Sequence, residues 1–162
     1  MERDHPDRCA YRTLRPRRRR PGLRAPQPGA GRRSDCVLDA KYHFRVWRPI
    51  TAIRLADADG NHSTTSDPAW TPLANTPADP SYPGAHSVIS QAAATLLSQE
   101  FDPRLRLTVT SELLPGVTRT FRSLQAIADE AGLSRVYAGI HTRLDHYAGQ
   151  TLGHELARSV FS

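Results

Sequence analysis

Three short stretches of the chain carry side chains of the types that hold and work on an anion. The first is Lys41-Tyr-His-Phe-Arg-Val-Trp-Arg48-Pro49, which contains the only lysine of the sequence. Seven residues are almost two helical turns, so on one helix Lys41 and Arg48 project from the same face. A Lys and an Arg on one face are ordinarily solvated. Tyr42, Phe44 and Trp47 beside them predict a helix that is substantially buried instead. The second stretch is Tyr82-Pro83-Gly84-Ala85-His86-Ser87, at the start of the strongest helical pattern. Small residues here let backbone approach a ligand, and the free N–H groups of a helix start favour negative charge. Gly84 and Ala85 are the candidate backbone donors, and His86, in the first turn, the candidate proton carrier. The third runs Ser134-Arg135-Val-Tyr-Ala-Gly-Ile-His141-Thr-Arg-Leu-Asp145. At a spacing of four on a helix, Asp145 reaches one ring nitrogen of His141 and leaves the other free as a ligand or nucleophile. Each stretch taken singly has a bland alternative: a solvated face, a Pro-Gly turn with a surface His, and a helix cap. His146 and His154 have no comparable setting and read as surface residues.

The elements that must position these groups read as helices. Val37, Leu38, Tyr42, Trp47, Ile50, Ile53 and Leu55 keep a helical period that Pro49 must kink or break. Residues 57–84, with prolines at 68, 72, 77, 80 and 83, read as one long loop. From Ala85 to Phe101 a helix is predicted, with Ala92, Leu96 and Phe101 near its inner face and Ile89 and Ala93 beside them. Residues 106–120 are the place for a little β structure or an irregular excursion. Phe121–Leu133 reads as a helix with Leu124, Ile127 and Ala128 inward, ended by Gly132. Residues 143–161 read as a last amphipathic helix carrying Leu144, Tyr147, Leu152, Leu156 and Val160. The expected fold class is therefore all-α, a helical bundle with a long Pro-rich loop.

Charge divides the chain in two. Residues 1–36 hold 11 Arg and 4 acidic residues, whereas residues 37–162 hold 10 Arg, 1 Lys and 12 acidic residues. The overall +6 thus belongs to the first stretch, which is rich in Arg, Pro and Gly and reads as a disordered tail. Residues 37–162 read as the folded domain. The run Arg17–Arg20 would attract nucleic acid or anionic lipid, but no binding motif accompanies it, so nucleic acid ranks last among partners. The two cysteines, Cys9 and Cys36, do not make a disulfide framework. No apolar run approaches the roughly 18 residues of a membrane span. The basic start is followed by Pro-Gly-Leu-Arg-Ala-Pro, not by the apolar stretch of a secretory signal. Oligomeric state is not encoded in any of these features.

Taken in order, Lys41-x6-Arg48-Pro49, Pro83-x-x-His86 and Ser134-Arg135-x5-His141 resemble the signature of a superfamily. It unites vanadium-dependent haloperoxidases with type 2 phosphatidic acid phosphatases and bacterial class A acid phosphatases. Trp47-Arg-Pro-Ile-Thr-Ala-Ile-Arg54, Asp67-Pro-Ala-Trp-Thr-Pro-Leu73 and Tyr137-Ala-Gly-Ile-His141 look most like the soluble bacterial haloperoxidase branch. The resemblance implies that Lys41, Arg48 and Arg135 hold the oxygens of vanadate or phosphate, with backbone at Gly84 and Ala85. It implies that His141 is the axial ligand of vanadium or the nucleophile toward phosphorus, that His86 is the acid–base residue, and that Asp145 supports His141. The partners implied are hydrogen peroxide and a halide, with vanadate as cofactor; for a phosphatase they are a phosphomonoester and no cofactor. An inactive fragment is the third reading. Two departures carry consequences. Gly84 stands where the family has a serine, which costs roughly 1.5–3 kcal/mol of anion binding unless Ser87 or a water replaces the hydroxyl. The family places several helices ahead of the lysine, where this chain has its Arg-rich stretch, so a shortened bundle with part of its core exposed is expected.

Overall fold

The computed structural model describes residues 31–160 apart from residue 113, and the side chains from Cys36 onward. The reading of residues 1–30 as a disordered tail lies outside the described residues. Helix α1 spans Gly31–Phe44, so its first turns overlap the end of the stretch read as tail. It stops where Arg45 takes a left-handed φ of 47°, its N–H donating to Lys41 O at 2.9 Å. A short helix α2, Pro49–Arg54, follows with Pro49 in its first turn. The expected break at Pro49 is present, and it changes one inference. Lys41 and Arg48 are not two turns apart on one helix. Arg48 is the extended N-cap of α2, at φ −70° and ψ 154°, because the ring of a following proline disfavours the helical conformation.

The long loop runs from the 3₁₀ turn Ala56–Ala58 to Gly84. It is tied down rather than loose: Arg54 Nε donates to Trp70 O, Leu73 N to Ala138 O and Ser81 N to Val46 O. Helix α3, Ala85–Glu100, begins after the cis Tyr82–Pro83 bond and Gly84. Strands β1, Leu107–Ser111, and β2, Leu114–Phe121, form an antiparallel ribbon with Leu107 opposite Phe121, the small β structure expected there. Helix α4, Leu124–Tyr137, is capped by Ser123, whose hydroxyl accepts from Ala126 N. Helix α5, Arg143–Arg158, opens with a capping box between Thr142 and Asp145. The protein is thus mostly helical with one two-stranded sheet among the described residues, as expected for the bundle.

Packing differs from the predicted faces. Helix α3 packs on α4 and α5 through Ser87, Val88, Gln91 and Ala94, all buried. The partners are small. A Cβ on Gly149 would lie 2.6 Å from Gly84 O, and one on Gly153 would collide with Val88 O. Gly132 does not end α4; it sits inside the helix where a Cβ would strike His146 and Ser87. Ile89 and Leu144 are instead 67% and 64% exposed. Tyr42, Phe44 and Trp47 are exposed too, so the first segment is not a buried helix. Ile89, Ala92, Ala93 and Leu96 line an open apolar groove of about 520 Å³ together with Leu38 and Leu156. No helix among the described residues is long and apolar enough to cross a membrane.

Candidate active site

Lys41, Arg48, Asp79, His141 and Asp145 meet where the ends of α1 and α4, the start of α5 and the Asp79–Ser81 loop converge. Lys41 is 1% exposed. Its ammonium donates to Pro80 O, to Ser81 O at 3.2 Å and to Asp79 Oδ2 at 2.9 Å. Arg48, 7% exposed, donates from Nε to Asp79 O at 2.9 Å and from Nη2 to Asp79 Oδ1 at 3.2 Å. Its Nη1 reaches Ile140 O at 2.9 Å and His141 Nε2 at 3.1 Å. Asp79 therefore bridges the two cations. Burial lowers the pKa of Lys41, with Asp79 pulling the other way, and burial likewise depresses Arg48. At Asp79 burial opposes the charge, but the bond from Lys41 and the two cations outweigh it and hold the carboxyl below its usual range.

His141 is held from the opposite side. Its Nδ1 lies 3.3 Å from Asp145 Oδ2 and 3.4 Å from Ser81 Oγ. A guanidinium can only donate, so Nε2 presents a lone pair to Arg48 and Nδ1 carries the proton toward Asp145. Asp145 is fully buried. Its Oδ2 also accepts from Ser81 Oγ and Thr142 N, each at 2.7 Å. Burial opposes its charge, but the bonds from His141, Thr142 and Ser81 prevail and bring its pKa down to about 2. One carboxylate thus caps α5 and fixes the tautomer of His141.

Arg135 and His86 complete the group. Arg135 lies in the last turn of α4, and its buried Nε has no hydrogen-bond partner among the described residues. Its charge helps depress Arg48. His86, in the first turn of α3 and partly open to solvent, has its pKa lowered by the burial of its remaining surface, then by the charge of Arg135. The N-cap of α3 is Gly84, which supplies no side-chain cap. Gly84 does not offer its own N–H, because this donates to Asp145 O at 2.9 Å. Ala85 is the first residue of α3, and the N–H groups of a first turn have no partner within their own helix. Ser87, the expected stand-in for the missing hydroxyl, is engaged on another side. It is buried and hydrogen-bonded to His146 Nδ1 at 2.9 Å. His146 is accordingly not a surface residue, being 3% exposed and lowered in pKa by burial; His154 is exposed as expected.

Sequence reasoning missed Asp79 and Ser81. Their signal was weak: a carboxylate and a hydroxyl within Pro77-Ala-Asp-Pro-Ser-Tyr-Pro83, a run that reads only as turn.

The donor set suits a tetrahedral oxyanion. It has three cationic side chains, a histidine whose Nδ1 faces a carboxylate, and a helix start with no side-chain cap. The buried Nε of Arg135 has no partner among the described residues, and the charge of Arg135 is felt at Arg48 and His86.

Residues 35–162 match the family described as the VCPO second helical-bundle domain. No curated protein sequence matches. Among solved structures, the fold is similar to "Crystal structure of the first bacterial vanadium dependant iodoperoxidase", at 35% identity and a TM-score of 0.65. That match covers 75% of this chain and 28% of the other. Apo- and holo-type bacterial vanadium-dependent chloroperoxidases match the fold at 20% identity, with TM-scores of 0.58 and 0.60. These matches cover 81% and 75% of this chain, and 35% and 30% of those chains. The chain therefore spans about a third of the length of the structures it resembles. With the domain match spanning most of its residues, the chain belongs to the vanadium haloperoxidase family, as the second helical-bundle domain.

Proposed function

We propose that residues 37–162 carry a vanadate-dependent haloperoxidase site that oxidises a halide with hydrogen peroxide. The observation that carries this reading is the convergence of Lys41, Arg48 and His141 on one buried point, with the unpartnered Nε of Arg135 in the same charged group. Lys41, Arg48 and Arg135 would hold vanadate oxygens, the first-turn N–H of Ala85 would add a donor, and His141 Nε2 would be the residue that binds the vanadium. Bound vanadate would supply the Lewis acidity that activates peroxide. The chain's own residues do the rest. Asp145 holds the Nδ1 proton of His141, so that Nε2 keeps its lone pair. The three cations offset charge on the bound oxygens. Partial burial and the charge of Arg135 lower the pKa of His86, which favours the neutral imidazole that a proton acceptor for an incoming peroxide needs.

The test is purified protein with and without orthovanadate, assayed for peroxide-dependent oxidation of iodide, the halide named for the neighbour of 35% identity. Oxidation that needs both vanadate and peroxide is expected. Phosphomonoester hydrolysis without halide oxidation would move the assignment to a phosphatase acting through His141. His141→Ala should weaken vanadate more than phosphate, because it removes a covalent ligand only from vanadium. Arg48→Ala should weaken both, because it removes shared charge-assisted bonds. In thermal melts either anion should stabilise the wild type by about 2.7 kcal/mol at a hundredfold excess over its Kd. If neither raises the melting temperature, the site is not organised in this chain.

A further inference from the structure

We infer that Asp79 is a built-in competitor of the oxyanion, a carboxylate that occupies the Lys41 and Arg48 subsites until a tetrahedral anion displaces it. The inference rests on the oxyanion site proposed above and concerns how that site is filled. Its basis is a count of donors. An ammonium has three protons, and the three acceptors of Lys41 are Pro80 O, Ser81 O and Asp79 Oδ2. Two are backbone carbonyls of the loop that seats the side chain. Only the Asp79 carboxylate can leave without moving backbone. Arg48 has five donor hydrogens, and four are placed: on Asp79 O, Asp79 Oδ1, Ile140 O and His141 Nε2. An anion entering between these groups gains Lys41 wholly, and the Nη2 edge of Arg48 largely, by exchange with Asp79.

The geometry permits the exchange. Asp79 is 28% exposed, against 1% for Lys41 and 7% for Arg48. The carboxylate has a side open to water that the two cations beneath it lack. A tetrahedral oxyanion brings more acceptor oxygens than a carboxylate, so it can take over the donors that Asp79 vacates and bridge them to the remaining donors of the site. Asp79 therefore keeps two buried cations from facing each other unpaired until an anion takes its place.

The experiment is isothermal titration of wild type, Asp79→Asn and Asp79→Ala with orthovanadate and inorganic phosphate. It is run beside nitrogen-15 spectra of protein labelled at lysine, where Lys41 gives the one side-chain ammonium signal. Asp79→Asn should bind both anions at least tenfold tighter than wild type. The Lys41 signal of wild type should shift on anion binding, toward one position shared with the anion-bound variants. Wild-type binding that is unchanged or weakened in both folded variants, as judged by circular dichroism, overturns the inference and leaves the oxyanion site standing. An unmoved Lys41 signal while anion binds does the same. If a variant fails to fold, the wild-type Lys41 shift decides. No binding by wild type or variants overturns both the inference and the site.

Discussion

The two faces of α3 obey different rules. The face of Ser87, Val88, Gln91 and Ala94 meets α4 and α5 through glycines and a polar net. Gln91 and Gln125 exchange amide bonds at 2.9 and 2.7 Å, and Asp129 accepts from Gln125 and Gln150. The face of Ile89, Ala92, Ala93 and Leu96 carries the larger apolar side chains and looks onto an open groove. Buried contact goes to the small and polar face because backbone approach there is close, and close approach gains dispersion contacts without bulky side chains. Hydrophobicity marks the face that α3 offers away from the helices it packs on.

Three substitutions test that contrast, and a fourth, Asp145→Asn, tests the site beside it. Gly149→Val should be the most damaging, because its Cβ meets Gly84 O and Ser87 Cβ. A loss of at least about 3 kcal/mol, or no folded protein, is expected in urea unfolding. Asp145→Asn should cost about 2 kcal/mol near pH 7. The Asp145 pKa is depressed, so its contribution is present above the ordinary carboxylate range and lost as pH falls toward 2. Wild type and variant should therefore converge in stability on acidification, measured by melts from pH 7 to pH 2. Gln91→Ala, which strands one side of the amide exchange with Gln125, should cost about 1 kcal/mol. Ile89→Ser, on the groove face, should change stability by less than about 0.5 kcal/mol. A loss for Ile89→Ser as large as that for Gln91→Ala would erase the contrast.

The same contrast explains what the sequence makes legible. Helix positions followed from periodicity and from punctuation by Pro49, Pro83 and Pro103, and the three anion-holding stretches from residue type and order. Faces did not follow. A period of apolar residues assigns Ile89, Leu144 and Tyr147 inward, and nothing local reveals that Gly149 and Gly153 are the contact residues until α3 is laid against them. Gly132 reads as a helix end for the same reason. Within the site, Lys41, Arg48 and His141 were legible because chemistry restricts their type. Asp79 and Ser81 were not, because loop carboxylates and hydroxyls are ordinary turn formers.

One carboxylate, Asp145, both starts α5 and aims His141. Helix ends fray more readily than helix middles, so any opening of the first turn of α5 also releases the imidazole. The order of the site and the order of that turn are then one equilibrium. Amide exchange at Asp145, whose N–H is held by Thr142 Oγ1, would report the fraction of molecules in which His141 is correctly aimed.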